Sequence, residues 1–332
     1  MAVNDDLFDD AVMRSLRAMR AGNGIWRSIR KDLIKLEREL VEKLNGQTPR
    51  TLAAQRSQKL LREIRQIIDG GAQAMRERLE ARGVELADIE ERAAYASLSA
   101  RVPIASTEWV RPSQSLITAV ATARPFEGAI LKDHIAKWST DTVFRMQAEL
   151  RTAILAGEGV DPMQRRLRRV AEISRQHARS ISRTYAMHVT NQARATLYEQ
   201  NKDIIAAEVW AATLDTRTCL RCAPLDNKRF PVGKGPQAPI HMNCRCVRVP
   251  LTRSAEALER RGIKTTRSAA DELNGNAPSD LSYEAWLRRR TDAEQIEVLG
   301  PARFEIWQKG GKLDRFVNDE NDILTLDELR DA

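Results

Sequence analysis

Apolar residues recur at steps of three and four along most of the chain, which predicts amphipathic helices. From Trp26 the series Trp26, Ile29, Leu33, Leu36, Leu40 and Leu44 draws one apolar stripe that Gly46 can end. A second series, Leu60, Leu61, Ile64, Ile67 and Ile68, runs into Asp69-Gly70-Gly71, a turn signal, and a third helix is expected over Gln73 to Ala96. Arg, Lys and Glu flank these stripes, so packing into a helical core is the expected use and docking on another chain the alternative. The acids Asp5, Asp6, Asp9 and Asp10 fit a helix start favoured by the dipole better than a metal cluster.

Pro103, Pro112 and Pro125 punctuate a stretch of small and hydroxylated residues that reads as a connection. Helices resume near Phe126. Gly157 and Gly159 end one, and Asp161-Pro162 suits the start of the next, with an acid at the cap and proline in the first turn. In that next helix Ala178, Ile181, Tyr185, Val189, Ala193 and Leu197 form a buried stripe. Arg175, Arg179 and Arg183, four apart, share another face that can show guanidinium groups to solvent or a partner. His177 and His188 lie eleven apart, too far along a helix to share an ion, and His134 reads as a surface or half-buried helix residue.

After Asn201 the pattern changes. Glu208–Thr213 and Cys246–Val249 are strand-like runs, and the residues between them are rich in Gly, Pro, Asp and Asn. Beyond Arg253 a polar linker leads to an amphipathic stretch, Tyr283 to Gly310, and to a capping box at Thr325-Leu326-Asp327-Glu328. The expected fold class is mainly α with a small α+β module. Its parts are a helical region over 1–100, a Pro-punctuated connection over 101–125 and a basic helical region over 126–202. A Cys/His module follows over 203–252, then a linker and acidic helical extension over 253–332.

Composition narrows the class. Of 332 residues 42% are hydrophobic and 30% charged, which is enough aliphatic surface for a helical core and too much for wholesale disorder. No apolar run approaches the roughly 20 residues of a membrane span, and the acidic start MAVNDDLFDD lacks the basic-then-apolar layout of a secretory signal. A soluble chain made in a cytoplasm is expected. The net charge of +8 is uneven: Pro162 to Arg194 holds eight Arg against the single acid Glu172, while Ala255 to Ala332 is net negative. A basic middle points to nucleic acid or an acidic protein surface, with a solvated helix face as the plain alternative.

All four cysteines are local: Cys219-Leu220-Arg221-Cys222 precedes His241-Met242-Asn243-Cys244-Arg245-Cys246. A C-x-x-C knuckle lets two thiolates face one ion, and a second group closes a tetrahedron, which is zinc geometry. Structural zinc would take Cys219, Cys222 and His241 with one of Cys244 or Cys246, because alternate residues seldom both reach one ion. A metal-free, hydrogen-bonded turn and redox chemistry are the alternatives. A catalytic zinc needs an open position and a general base, and the nearest carboxylates in sequence, Asp215 and Asp226, sit in no H-E-x-x-H or H-x-E arrangement. No catalytic residue is expected.

The run from Trp210 through Asp215, Arg217, Thr218, Cys219 and Cys222, then Pro239, His241 and Asn243-Cys244-Arg245-Cys246, resembles the phage Mu F-like family of minor head proteins. So does the preceding helix, with Ile181-Ser182-Arg183-Thr184 and Asn191-Gln192-Ala193-Arg194. The resemblance covers roughly Gly157 to Leu251. Tyr283–Leu287, Val298–Arg303, Lys309-Gly310 and Leu324–Leu329 are similar to the C-terminal extension of some minor head proteins of tailed phages. The resemblance implies a virion component at the portal vertex, acting in head morphogenesis. Its partners would be the portal protein, the major capsid or scaffold protein, and packaged double-stranded DNA, without a membrane span. It also implies metal-binding Cys and His, all present here. Arg175, Arg179, Arg183 and Arg194 are the expected contacts for DNA or a protein partner. A zinc-dependent nuclease or other hydrolase, and a cytoplasmic DNA-binding protein, are the readings from other classes.

Overall fold

The computed structural model describes residues 2–45, 54–102, 104, 108–212, 221–222, 225–262, 266–268, 276–278, 287–316, 324–326 and 328–331. They fall into two compact units, residues 1–102 with 109–257, and residues 103–108 with 258–332. The fold is mainly helical with a small antiparallel sheet, as the apolar periodicity predicts.

The first unit is built on five helices, α1 (Ala2–Glu42), α2 (Ala54–Arg101), α3 (Gln114–Thr122), α4 (Leu131–Leu155) and α5 (Val160–Gln200). α1 therefore begins well before Trp26. Its predicted stripe residues Ile29, Leu33 and Leu40, with Leu44 in the turn just past its end, are buried in one core with Ile64, Ile68, Met75 and Leu79 of α2 and Leu167, Val170, Ala178 and Tyr185 of α5.

The turn expected at Asp69-Gly70-Gly71 is absent: α2 runs through it, so the two predicted helices are one. The glycine serves a close approach, since a Cβ on Gly71 would lie 2.1 Å from Leu36 Cδ1 of α1. Gly83 does the same for the Tyr185 ring, whose hydroxyl would stand 2.1 Å from an added Cβ and donates to the Ala121 carbonyl at 2.8 Å. Asp69 accepts a hydrogen bond from Ser139 Oγ at 2.6 Å, tying α2 to α4. Helix α5 starts earlier than Asp161-Pro162, with Gly159 at the cap.

α5 is the hub of this unit. Its first half is amphipathic, but every residue from Thr184 to Tyr198 is buried. Helices α1, α2, α3 and α4 and strand β3 (Val247–Thr252) surround it. Polar side chains in this stretch therefore need internal partners. Thr190 and Thr196 donate to carbonyls a turn earlier, Asn191 Nδ2 donates to Met187 O at 2.9 Å, and Gln192 accepts from Arg124 Nη1 at 3.1 Å.

His188, on the same helix face as the exposed His177, is enclosed, with Nε2 3.2 Å from the Arg124 carbonyl and its ring 5.1 Å from Phe126. Burial, helped by the charge of Arg124 and by His134, pushes its pKa down to about 4. The unfolded chain, with His188 near its ordinary value, then binds the extra proton between about pH 6.5 and pH 4. Stability should fall as pH is lowered through that window, by about 2 to 3 kcal/mol at pH 4.5 from this group. Urea denaturation at pH 4.5 and 7 should show the difference in wild type and a smaller one in His188→Gln.

The sheet has order β2-β1-β3, from β1 (Ile205–Ala211), β2 (Arg229–Phe230) and β3, all antiparallel. Val209 pairs with Val249 and Trp210 with Arg248. The first and last strands lie where the sequence pattern puts strands, whereas β2 is too short to be read from it. Met187 of α5 and Ala11 and Ala18 of α1 pack with Ala211, Val247 and Val249 of the sheet. A short helix, α6 (Ala255–Glu259), follows β3.

The second unit holds the hairpin β4 (Thr266–Ser268) and β5 (Asn276–Pro278) and the helices α7 (Asp292–Leu299), α8 (Pro301–Gln308) and α9 (Glu328–Asp331). Leu287, Leu299, Trp307, Phe316 and Leu329 form its core. Gly300-Pro301 splits the predicted stretch into two helices, because Gly300 adopts a φ of 74° and Pro301 starts the next helix. The predicted capping box is present: Thr325 N–H donates to Glu328 Oε2 at 2.7 Å and Glu328 N–H to Thr325 Oγ1 at 3.4 Å. Among the described residues no helix is long and apolar enough to cross a membrane.

Candidate metal centre

Strand β1 ends beside Trp210, which is fully buried with Cys222, Ala238, Cys244 and Cys246 in a small core beside the sheet. The backbone loops back under it: Trp210 N–H donates to Lys228 O and Asn227 N–H to Trp210 O, both at 2.9 Å. Asp226 accepts from Ala212 N–H at 2.8 Å and from Asn227 Nδ2 at 3.2 Å, so this carboxylate fastens the loop. The residues from Thr213 to Leu220, which include Asp215 and Cys219, lie outside the described residues.

The second half of the cluster is set by a turn. Cys244 N–H donates to His241 O, and Asn243 takes a left-handed φ of 61°. Asparagine tolerates this better than most residues. Asn243 N–H donates to Thr184 Oγ1 at 2.8 Å, and its Nδ2 to Ser180 Oγ at 3.1 Å, so the turn is bolted to α5. Asn191 Nδ2 also reaches the Cys246 carbonyl, at 3.4 Å.

These constraints bring the sulfurs of Cys222, Cys244 and Cys246 within 4.8 Å of one another, all buried and close enough to hold a metal ion. Both Cys244 and Cys246 belong to this cluster, although ligand spacing along the chain leads one to expect only one of the two there. After the turn at Asn243 the chain is extended into β3, and alternate residues of an extended chain point to the same side. Cys222 Sγ and Cys244 Sγ are 3.8 Å apart. That matches the edge of a zinc tetrahedron, about 3.8 Å for Zn–S bonds of about 2.3 Å.

His241 Nε2 lies 3.2 Å from Cys222 Sγ, while Nδ1 lies 2.9 Å from the Met242 carbonyl. The tautomer that donates Nδ1–H to that carbonyl turns the Nε2 lone pair towards the sulfur, the arrangement of a metal-binding imidazole. The pKa of the Cys244 thiol is pushed down, chiefly by a hydrogen bond from Cys246, with Ile240 and His241 assisting against burial. A thiolate is the form that binds metal.

A separate buried ion pair ties β1 to β3. Glu208 Oε2 accepts from Arg248 Nη2 and from Gly233 N–H, both at 3.0 Å, and burial raises the Glu208 pKa and lowers that of Arg248.

The four arginines expected at a partner surface separate. Arg179 is exposed and Arg183 half-buried. Arg175 turns inward, pairing with Glu37 of α1 and, at 2.6 Å, with Glu172. Arg194 is 1% exposed, with Nε 3.4 Å from Glu90 Oε1 and Nη atoms donating to Ala11 O and Asn191 Oδ1. Its guanidinium holds α1, α2 and α5 together and cannot touch a partner. The single apolar stripe drawn on α5 could not foretell this, because α1 and β3 cover its opposite face. Thr184 as the anchor of Asn243 is likewise missed by ligand spacing, although it belongs to the run that carries the resemblance.

Residues 145–249, about a third of the chain, match the family described as Phage Mu protein F like protein. The segment runs from the middle of α4 through α5 and β1 into β3, and contains all four cysteines and His241. No curated protein and no solved structure matches the chain.

Proposed function

We propose, from the Phage Mu protein F like domain formed by residues 145–249, that this chain is a minor head protein of a tailed bacteriophage, acting in head morphogenesis at the portal vertex. The observation that carries the reading is the overlap of the matched segment with one structural unit, α5 and the Cys/His module bolted to it through Thr184 and Asn243. On this reading the helical regions 1–100 and 126–202 supply docking faces for the portal protein and for the major capsid or scaffold protein. Module 203–252 is a rigid knuckle, and 253–332 is an extension. Packaged double-stranded DNA is the further partner.

The metal in the knuckle is structural zinc, held by Cys222, Cys244 and Cys246 with His241 or Cys219 completing the set. Three buried sulfurs within 4.8 Å of one another, two of them 3.8 Å apart, support this, and a closed set of four leaves no open position for chemistry. The reading is non-catalytic. Asp226, the described carboxylate nearest the cluster in sequence, is engaged with the Ala212 backbone rather than aimed at the sulfurs.

Fractionation of purified virions tests the proposal. The chain should stay with the capsid and portal after DNA release, at few copies per particle, and the purified chain should cleave neither DNA nor ester substrates with zinc or magnesium added. Absence from virions, or a nuclease signal lost in His241→Ala, would favour the hydrolase instead.

A further inference from the structure

The exposed face of α1 between Arg17 and Arg38 carries Arg17, Arg20, Arg27, Arg30, Lys31, Lys35 and Arg38. At ~100° per residue these seven fall within a sector of α1 about 140° wide, opposite the buried face, and extend over about 32 Å at ~1.5 Å per residue. The acids on the same length of helix are Asp32 and Glu37. Both point off the stripe, pairing with Arg78 of α2 and Arg175 of α5. Glu172 of α5 feels Arg30 but is bonded to Arg175 and Gln176. Among the described residues none of the seven makes an ion pair.

Ordinary solvated helices mix their signs, and α2 does so: Lys59 with Glu63, Arg76 with Glu80, Arg82 with Glu85 and Arg92 with Asp88. On α1 the neighbours one turn apart, Arg27 with Lys31 and Lys31 with Lys35, repel instead. A long single-sign stripe on an otherwise mixed surface is the footprint of an anionic partner.

We infer that this face of α1 binds the phosphate backbone of double-stranded DNA, without regard to sequence. The inference rests on the reading that the chain meets DNA, and moves that contact from α5, where Arg175 and Arg194 point inward, to α1. An acidic protein surface fits less well, because protein interfaces centre on buried apolar anchors. The exposed large apolar residues of α1, Met13 and Leu16, lie before the stripe, and none is exposed between Arg17 and Arg38. A duplex, with one negative charge per roughly 1.7 Å of axis, needs nothing from the helix beyond a row of cations.

Binding of the full chain to a fluorescent duplex of about 30 base pairs, roughly 100 Å long, tests this across a salt series. Wild type should bind sequences of different composition equally and weaken steeply with salt. Replacing Arg20, Arg27, Lys31, Lys35 and Arg38 by Gln should weaken low-salt binding at least tenfold. It should also flatten the log–log salt slope by about 4.5, at roughly 0.9 for each of the five phosphates no longer neutralised. Arg62→Gln with Arg65→Gln, on the exposed face of α2, should change neither, and circular dichroism should show all variants helical. A slope unchanged in the α1 variant, or lowered equally in the α2 control, overturns the assigned surface while DNA binding stands. No binding by wild type even at low salt overturns the DNA contact itself and leaves the head-protein assignment to the virion test. Loss of portal binding in the α1 variant with DNA affinity unchanged assigns the stripe to a protein partner and overturns the inference.

Discussion

Cys244→Ser is expected to take the metal content of the purified chain from one zinc per chain to near zero, and to open the loop between β2 and β3 to proteases. Cys244 stands 3.8 Å from Cys222, and both belong to the small core around Trp210. The fully buried part of that core is three cysteines, Trp210 and Ala238, with Ala212, Leu225, Phe230 and Ile240 only partly buried against it, a small apolar surface for a loop-rich module. Metal binding would add to it, since structural zinc in small modules contributes on the order of 10 kcal/mol. The effect should stop at the module's edge. α1 to α5 share a core that contains none of its cysteines, so most of the helical signal should survive. Cys222→Ser should behave alike, and a chelator should reproduce both in wild type. Elemental analysis of protein purified without chelator is the first measurement. A stoichiometry near zero, with protease resistance equal before and after chelation, would mean that hydrogen bonds and Trp210 packing hold the module.

Glu90→Ala should be the most damaging single change in the helical core. Glu90, Arg14 and Arg194 are 6%, 7% and 1% exposed, and one Glu90 oxygen lies 3.1 Å from Arg14 Nε and 3.4 Å from Arg194 Nε. Removing the carboxylate leaves two guanidinium groups facing each other without water, where one broken buried pair alone costs about 3–5 kcal/mol. Asp10 relieves Arg14 only in part, at 3.9 Å, because it also pairs with Arg101 at 2.9 Å. Replacing Glu90 and Arg194 together by Met should cost much less than Glu90→Ala, since exchanging a whole buried pair for apolar side chains is often neutral. Urea denaturation of the three proteins measures the contrast. A Glu90→Ala loss under about 1 kcal/mol would show that water reaches the cluster.

The helical character was legible because burial on one side imposes a three-and-four periodicity, and the stripes of α1 and α2 lie in the core as that pattern requires. The capping box at Thr325 and the two longer strands were legible for the same reason: their signals are local. The cysteine spacing likewise announced a cluster around Cys222, Cys244 and Cys246. What the sequence could not disclose depends on neighbours distant along the chain. Gly70-Gly71 reads as a turn until Leu36 of α1 is laid against it. Arg194 reads as a surface cation until α1 and α2 enclose it with Glu90. The stripe on α1 is written in the residues from Arg17 to Arg38, yet only the pairing of Asp32 with Arg78 and of Glu37 with Arg175 leaves it with a single sign. Sequence alone determined which segments are helical and where the sulfur chemistry gathers. Tertiary structure decided which charges face outward, because a buried ion must find a partner and that partner is chosen by packing, not by spacing along the chain.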